Sequence, residues 1–154
     1  MVLIRNLIAP IGLAILAVSC APNLPTPVTK SSLDGAISEA IGDPNTCLMI
    51  GKIATGEVVY RFGSHVICGK SWPSCTDQGV TSPSDLLKSG PKIRTGATSS
   101  CRSNADGSRG VSWASGPVVN HADLAYVAVM EGPNVPPGIV IADKLRSAFK
   151  AAGF

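Results

Sequence analysis

"LAYVAVM", Leu124–Met130, is built wholly from apolar and aromatic residues. A strand with one wet face alternates apolar and polar side chains, whereas an unbroken run fits a central strand covered on both faces. Working outward, "NHAD" (Asn120–Asp123) separates this run from a strand expected at Gly110–Val119. "SNADGSRG" (Ser103–Gly110) separates that one from another expected at Lys92–Ser99. Such short loops favour antiparallel neighbours. Downstream, a helix is predicted from about Pro137. Ile141, Ala142, Leu145, Ala148, Phe149 and Ala152 form its apolar stripe, and Gly153 ends it.

The N-terminal half supplies the remaining elements. Ser31–Gly42 reads as a helix, with Leu33, Ala36, Ile37, Ala40 and Ile41 on one face and Ser31-x-x-Asp34 as a capping-box start. "TCLMIGKIATGEVVYRFG" reads as a hairpin, Cys47–Ile53 and Glu57–Phe62, turned by Ala54–Glu57 with Gly56 at a positive φ. Ser64–Pro91 has little periodicity. Its one helical signal is Ser82 as cap, Pro83 at the first position, Leu86 and Leu87 inward and Gly90 at the end. The expected fold is therefore α+β: a five-stranded antiparallel sheet, the N- and C-terminal helices packed on one face, and a disulfide-stapled excursion after strand 2.

The 154 residues suit one domain. Charged residues are 15% of the chain, against about a quarter in typical domains. The net charge is +3, and the thirteen basic residues are scattered without aromatic interleaving. That distribution argues against a nucleic-acid partner.

At the other end of the chain, Leu7–Val18 is apolar except for Pro10 and Gly12, and Arg5 is the only charge before Lys30. A membrane span needs about 20 apolar residues, so the run describes a secretory signal instead. Ala17-Val18-Ser19-Cys20 resembles the lipobox of bacterial lipoproteins. The resemblance implies a signal peptide at 1–19, cleavage before Cys20, and lipidation of Cys20 with acyl chains such as palmitate. Ala21 stands where the inner-membrane retention signal of Gram-negative lipoproteins is typically Asp. Lipid anchoring at the outer membrane, on its periplasmic face, is the implied location. Pro22, Pro25 and Pro27 make 20–30 an extended tether, with the domain at 31–154. The alternatives are an ordinary cleaved signal and a retained helix.

With Cys20 set aside, Cys47, Cys68, Cys75 and Cys101 remain. In an oxidising compartment an even count reads as two disulfides, with three possible connectivities. The hairpin register leans towards Cys47–Cys68 and Cys75–Cys101. A zinc alternative would join His65 to three cysteines, but His65-x2-Cys68-x6-Cys75 lacks the tight knuckle of a structural site. No motif asks for a metal or another cofactor.

The element order looks like the α/β domain of penicillin-recognising proteins, the serine β-lactamases and DD-peptidases. Arg94-Thr95-Gly96-Ala97 resembles their Lys-Thr-Gly strand, "RGVSWASGP" (Arg109–Pro117) the strand that follows, and "ATGEVVYRFGS" (Ala54–Ser64) the first hairpin. The family's covalent chemistry needs Ser-x-x-Lys on a helix after the second strand. None follows Phe62. Ser89-Gly90-Pro91-Lys92 is interrupted by Gly-Pro, and Ser147-Ala148-Phe149-Lys150 sits on the terminal helix. The resemblance thus implies a reduced, non-catalytic scaffold on which Arg94 and Thr95 hold a ligand carboxylate. The plainer interpretation of Arg94 is a solvated cation guarding an edge strand. Trp72, beside Lys70 and Pro73, is either a recognition anchor or apolar cover for the staple.

Three functional expectations follow. The first is an envelope lipoprotein with a small non-enzymatic structural or binding domain facing the periplasm. Its partners would be the membrane, through the anchor, and peptidoglycan or an envelope protein. The second is a carboxylate or peptidoglycan-peptide binder. The third is a hydrolase with an unrecognised site.

Overall fold

The computed structural model describes residues 24–154. The lipobox, Cys20 and the first part of the predicted tether, 20–23, lie outside the described residues. Among the described residues, four helices, α1 (Lys30–Ile41), α2 (His65–Gly69), α3 (Pro83–Lys88) and α4 (Gly138–Ala152), accompany seven strands. The strands are β1 (Thr46–Lys52), β2 (Val58–Phe62), β3 (Trp72–Pro73), β4 (Val80–Thr81), β5 (Ala97–Arg102), β6 (Gly110–Val118) and β7 (His121–Gly132), and a 3-10 helix spans Gly90–Thr95.

The main sheet has five strands in the order β2-β1-β7-β6-β5. Every neighbouring pair is antiparallel. β7, which contains "LAYVAVM", is thus the middle strand, and its alternate side chains serve two cores. Leu124, Tyr126, Ala128 and Met130 pack with Leu33, Ile37 and Ile41 of α1 and with Ile141, Leu145 and Phe149 of α4. Ala125, Val127 and Val129 face the other side, where Cys68, Trp72, Leu87 and Ile93 cover them. Full burial of one such aliphatic side chain is worth about 1.5–3 kcal/mol. The excursion is therefore the second cover of the sheet, as the continuous apolar run requires.

The predicted stripe of α4 is buried at each of its six positions. Gly153, at φ 102°, closes the helix by donating its N–H to the carbonyls of Lys150 and Phe149. α3 forms as expected, with Ser82 Oγ accepting from the Asp85 N–H.

Several expectations need correction. The strand expected at Lys92–Ser99 begins only at Ala97. Gly90 and Gly96 take φ of +66° and +68°, and Ile93 is drawn into the second core, so the segment between them winds into the 3-10 helix. Arg94 and Thr95 accordingly lie on that turn and not on a strand. The cap of α1 is Thr29, not Ser31: Thr29 Oγ1 accepts from the Ser32 N–H, and Ser32 Oγ accepts from the Thr29 N–H. Asp34 instead pairs with Lys30 and accepts from the Tyr60 hydroxyl. Packing also reaches back into the segment read as tether, since Val28 is buried and Leu24 lies against the first core.

Candidate functional site

Residues in register across a sheet form rows that face one side. On the helix-covered face one row runs Tyr60, Ile50, Tyr126, Gly116. It continues no further as strand, because β5 starts at Ala97, opposite Ser115. Gly116 adds no side chain, and Gly96 lies beside it: a Cβ on Gly116 would stand 3.4 Å from the Gly96 Cα and 3.6 Å from Tyr126 Cε1. The two glycines leave the sheet bare next to α4, and a cleft of about 420 Å³ results.

Tyr126, Gly116 and Ala97 lie on the sheet side of this cleft, while Ile139, Ala142, Arg146 and Phe149 form the α4 wall. Thr98, in register with Ala114 on this face, and the backbone of Ser115 also line it. Ile139 is 57% exposed and Val119, at the mouth, 50%. A neighbouring hollow shares Val119, Arg146 and Phe149 and extends to Lys150 and Phe154.

Tyr126 is 9% exposed, and its ring meets Phe149 edge-on at 5.2 Å between centroids. Its hydroxyl makes no hydrogen bond among the described residues. Among the described residues, the polar side-chain atoms sealed in without a partner are Arg61 Nε and Trp72 Nε1. Tyr126 Oη is not one of them, because it opens on the cleft. Burial, above all, raises the Tyr126 phenol above its usual range; the Arg146 cation opposes the shift and the Asp143 carboxylate adds to it. Tyr60, the other tyrosine, differs: its hydroxyl donates to Asp34 Oδ1 at 2.8 Å. Arg146 is largely exposed, and its Nη1 donates to Asp143 Oδ1 at 2.8 Å. The cleft lining contains hydroxyls and a guanidinium but no carboxylate, histidine or thiol. Such a set can bind and orient a ligand; it brings together no nucleophile and base.

The residues singled out from sequence fall elsewhere. Arg94 and Thr95 are exposed on the 3-10 helix that leads into Gly96 at the cleft. Trp72 is 6% exposed in the second core, under the Lys70 ammonium at 3.9 Å from the ring centroid. Cys47 is bonded to Cys68 and Cys75 to Cys101, with Cα separations of 5.2 and 5.4 Å. The cysteines of the zinc alternative are thereby held in disulfides. Among the described residues no cluster of three or more metal-ligating side chains occurs. No helix among them is long and apolar enough to cross a membrane.

A second polar cluster closes the opposite end of the sheet. Glu131 is 5% exposed and accepts from Arg109 through both oxygens, each at 2.7 Å. Ser103 Oγ and Asn45 Nδ2 also donate to it. The Arg109 hydrogen bonds hold the Glu131 carboxyl below its usual range, helped by Ser103 and opposed by burial. Every oxygen is engaged, so this cluster ties the α1–β1 and β5–β6 loops to the end of β7 and is not a vacant site.

Sequence reasoning missed Tyr126 and Arg146. The available signal was a tyrosine in an otherwise aliphatic strand and a glycine in "ASGP", but only the register sets them opposite each other. No protein-family model, curated protein or solved structure matches the chain.

Proposed function

We propose that this chain is an exported envelope lipoprotein, cut before Cys20 and anchored by acyl chains at the outer membrane, whose domain is a non-enzymatic binding module facing the periplasm. One observation carries the proposal: the two disulfides use every cysteine of the described domain and leave Cys20 as the one outside it. Paired cysteines fit an oxidising compartment, and a lone cysteine directly after a short apolar run fits a lipid attachment site. A binding domain, as opposed to a purely structural one, is supported by the cleft with its unpaired hydroxyl. The test is metabolic labelling with an alkyne analogue of palmitate, followed by intact mass and membrane fractionation. Labelled protein in the outer-membrane fraction, with label lost in Cys20→Ser, is expected. An unmodified Cys20 on soluble periplasmic protein would refute the anchor.

A second reading is a carboxylate or peptidoglycan-peptide binder on a reduced penicillin-recognising scaffold. The order of helix, two strands, excursion, three strands and helix favours it, as does the exposure of Arg94 near the cleft. It predicts no covalent labelling by a fluorescent β-lactam, and peptide binding that weakens in Arg94→Ala.

A further inference from the structure

We infer that the cleft between α4 and the Gly96/Gly116 edge is a binding site for a small carboxylate with an apolar body, held by the Tyr126 hydroxyl and the Arg146 guanidinium. This rests on the binding half of the function proposed above, and not on the lipid anchor.

The first ground is the state of Tyr126. A phenolic hydroxyl on a nine-tenths-buried side chain ordinarily finds a partner, in the protein or in a bound molecule such as water. The Tyr60 hydroxyl does so with Asp34, and the Tyr126 hydroxyl has none and faces the cleft. The second ground is sign. The lining offers O–H and N–H donors without a carboxylate side chain, and at the rim stand Arg146, paired with Asp143, and the neighbouring Lys150. An acceptor-only ligand group satisfies such donors, and guanidinium suits carboxylate best. With Asp143 already balancing part of the positive charge, one negative charge on the ligand is what the rim can match. The third ground is shape. Phe149, Ile139, Ala142 and Gly116 provide the apolar surface, and a volume of about 420 Å³ is that of small-molecule pockets. Ile139 and Val119, exposed now, would be covered by the ligand body.

The experiment uses 4-phenylbutyrate as the carboxylate and 4-phenylbutanol as the uncharged control. The oxidised full chain, in phosphatidylcholine nanodiscs, is titrated calorimetrically, with empty nanodiscs as blank. Saturable one-to-one binding of the carboxylate, at least tenfold tighter than the alcohol, is expected. Tyr126→Phe keeps the ring and Arg146→Gln alters an exposed side chain, so both should retain the parent thermal midpoint. Each should bind about tenfold more weakly, the cost of one hydrogen bond to a charged group. Arg94→Ala should bind normally. Absence of saturable binding, or equal affinity in parent, Tyr126→Phe and Arg146→Gln, overturns the inference. A peptidoglycan peptide that binds instead, lost in Arg94→Ala and kept in Tyr126→Phe, also overturns it while leaving a binding domain in place. If neither the carboxylate nor the peptide nor any envelope component binds, the binding half of the proposed function falls with it.

Discussion

Tyr126 on β7 and Gly116 on β6 are register partners, and the missing side chain of Gly116 leaves the Tyr126 ring and hydroxyl open to the cleft. Gly116 itself needs no special backbone conformation, and a Cβ there would make only ordinary contacts with Gly96 and Tyr126. Gly116→Ala should therefore fold, with stability unchanged or raised by up to about 1 kcal/mol through a stiffer unfolded chain. Gly116→Leu would fill the cleft. Denaturant unfolding of both variants, with the ligand titration repeated on each, checks the relation. Loss of binding only in the leucine variant is expected.

Gly138 begins α4, and there the opposite holds. A Cβ at this position would overlap the Trp113 carbonyl oxygen and press on the Ser99 backbone. Backbone atoms of two paired strands cannot rotate aside as a side chain tip can. Alanine is the better helix former by about 1 kcal/mol, but overpacking against backbone outweighs that. Gly138→Ala should cost about 2–3 kcal/mol in urea unfolding, and the Gly138 N–H to Ser100 Oγ bond, 2.9 Å, should be displaced.

How much of this was legible beforehand depends on the physical range of each signal. The stripe from Ile141 to Ala152 and the run at Leu124–Met130 are periodicities within one element, and they identify helix and central strand directly. That run also calls for a second cover of the sheet, but which residues form it is not legible, because Cys68, Trp72, Leu87 and Ile93 are isolated apolar residues spread over an aperiodic segment. The start of β5 was misplaced because Ile93 and Arg94 look like strand residues, while the positive φ of Gly90 and Gly96 makes the chain turn. The cleft was invisible for a further reason. It arises from which residue of β6 faces which residue of β7 and from where β5 starts, relationships that no single segment carries.

Glu131 sets the acid response. Its carboxyl is held below the ordinary value of 4.5 by Arg109, with Ser103 assisting. A depressed folded-state pKa gives stability that is complete above the unfolded value and lost as pH falls through the folded one. The thermal midpoint should therefore fall as pH drops below about 4.5, the unfolded value. Glu131→Gln should start lower at neutral pH and show a flatter acid limb. A variant that retains the full acid dependence would place that dependence on other carboxylates.

The two tyrosines set the alkaline response. Tyr60 is raised by burial and then by its hydrogen bond to Asp34, and Tyr126 mainly by burial. Raised folded-state values give stability that is complete below the unfolded value of 10.0 and lost as pH rises beyond it. In a spectrophotometric titration the two rings should separate. The Tyr126 phenol, whose hydroxyl opens on the cleft, should ionise above its ordinary range while the circular-dichroism signal is intact, and Tyr60 only as that signal is lost. An early phenolate band that persists in Tyr126→Phe would assign it to Tyr60 and show the Tyr60–Asp34 contact to be open.

The disulfides divide the second core between them, and their removal should be unequal in effect. Cys47–Cys68 fastens α2 to the inner strand β1, where both sulfurs are buried. Cys75–Cys101 fastens the β3–β4 hairpin to the edge strand β5, and both residues are half-exposed. Besides that bond, Trp113 Nε1 donating to the Pro73 carbonyl at 2.8 Å and Ser99 Oγ donating to the Ser74 carbonyl at 3.2 Å keep the hairpin down. Replacing Cys75 and Cys101 together by serine frees a closed loop of separation 26 and should cost about 3 kcal/mol. The hairpin that carries Trp72 then opens locally, so the tryptophan emission should shift to the red before the main transition. Cys47→Ser with Cys68→Ser removes a loop of similar length, separation 21, but also places two hydroxyls in an apolar core. Hydroxyls buried without partners add their desolvation to the loss, and this pair of substitutions should be the more damaging, with a single cooperative transition at lower denaturant. Equal effects of the two removals would mean that the β3–β4 hairpin is held as firmly as the sheet beneath it.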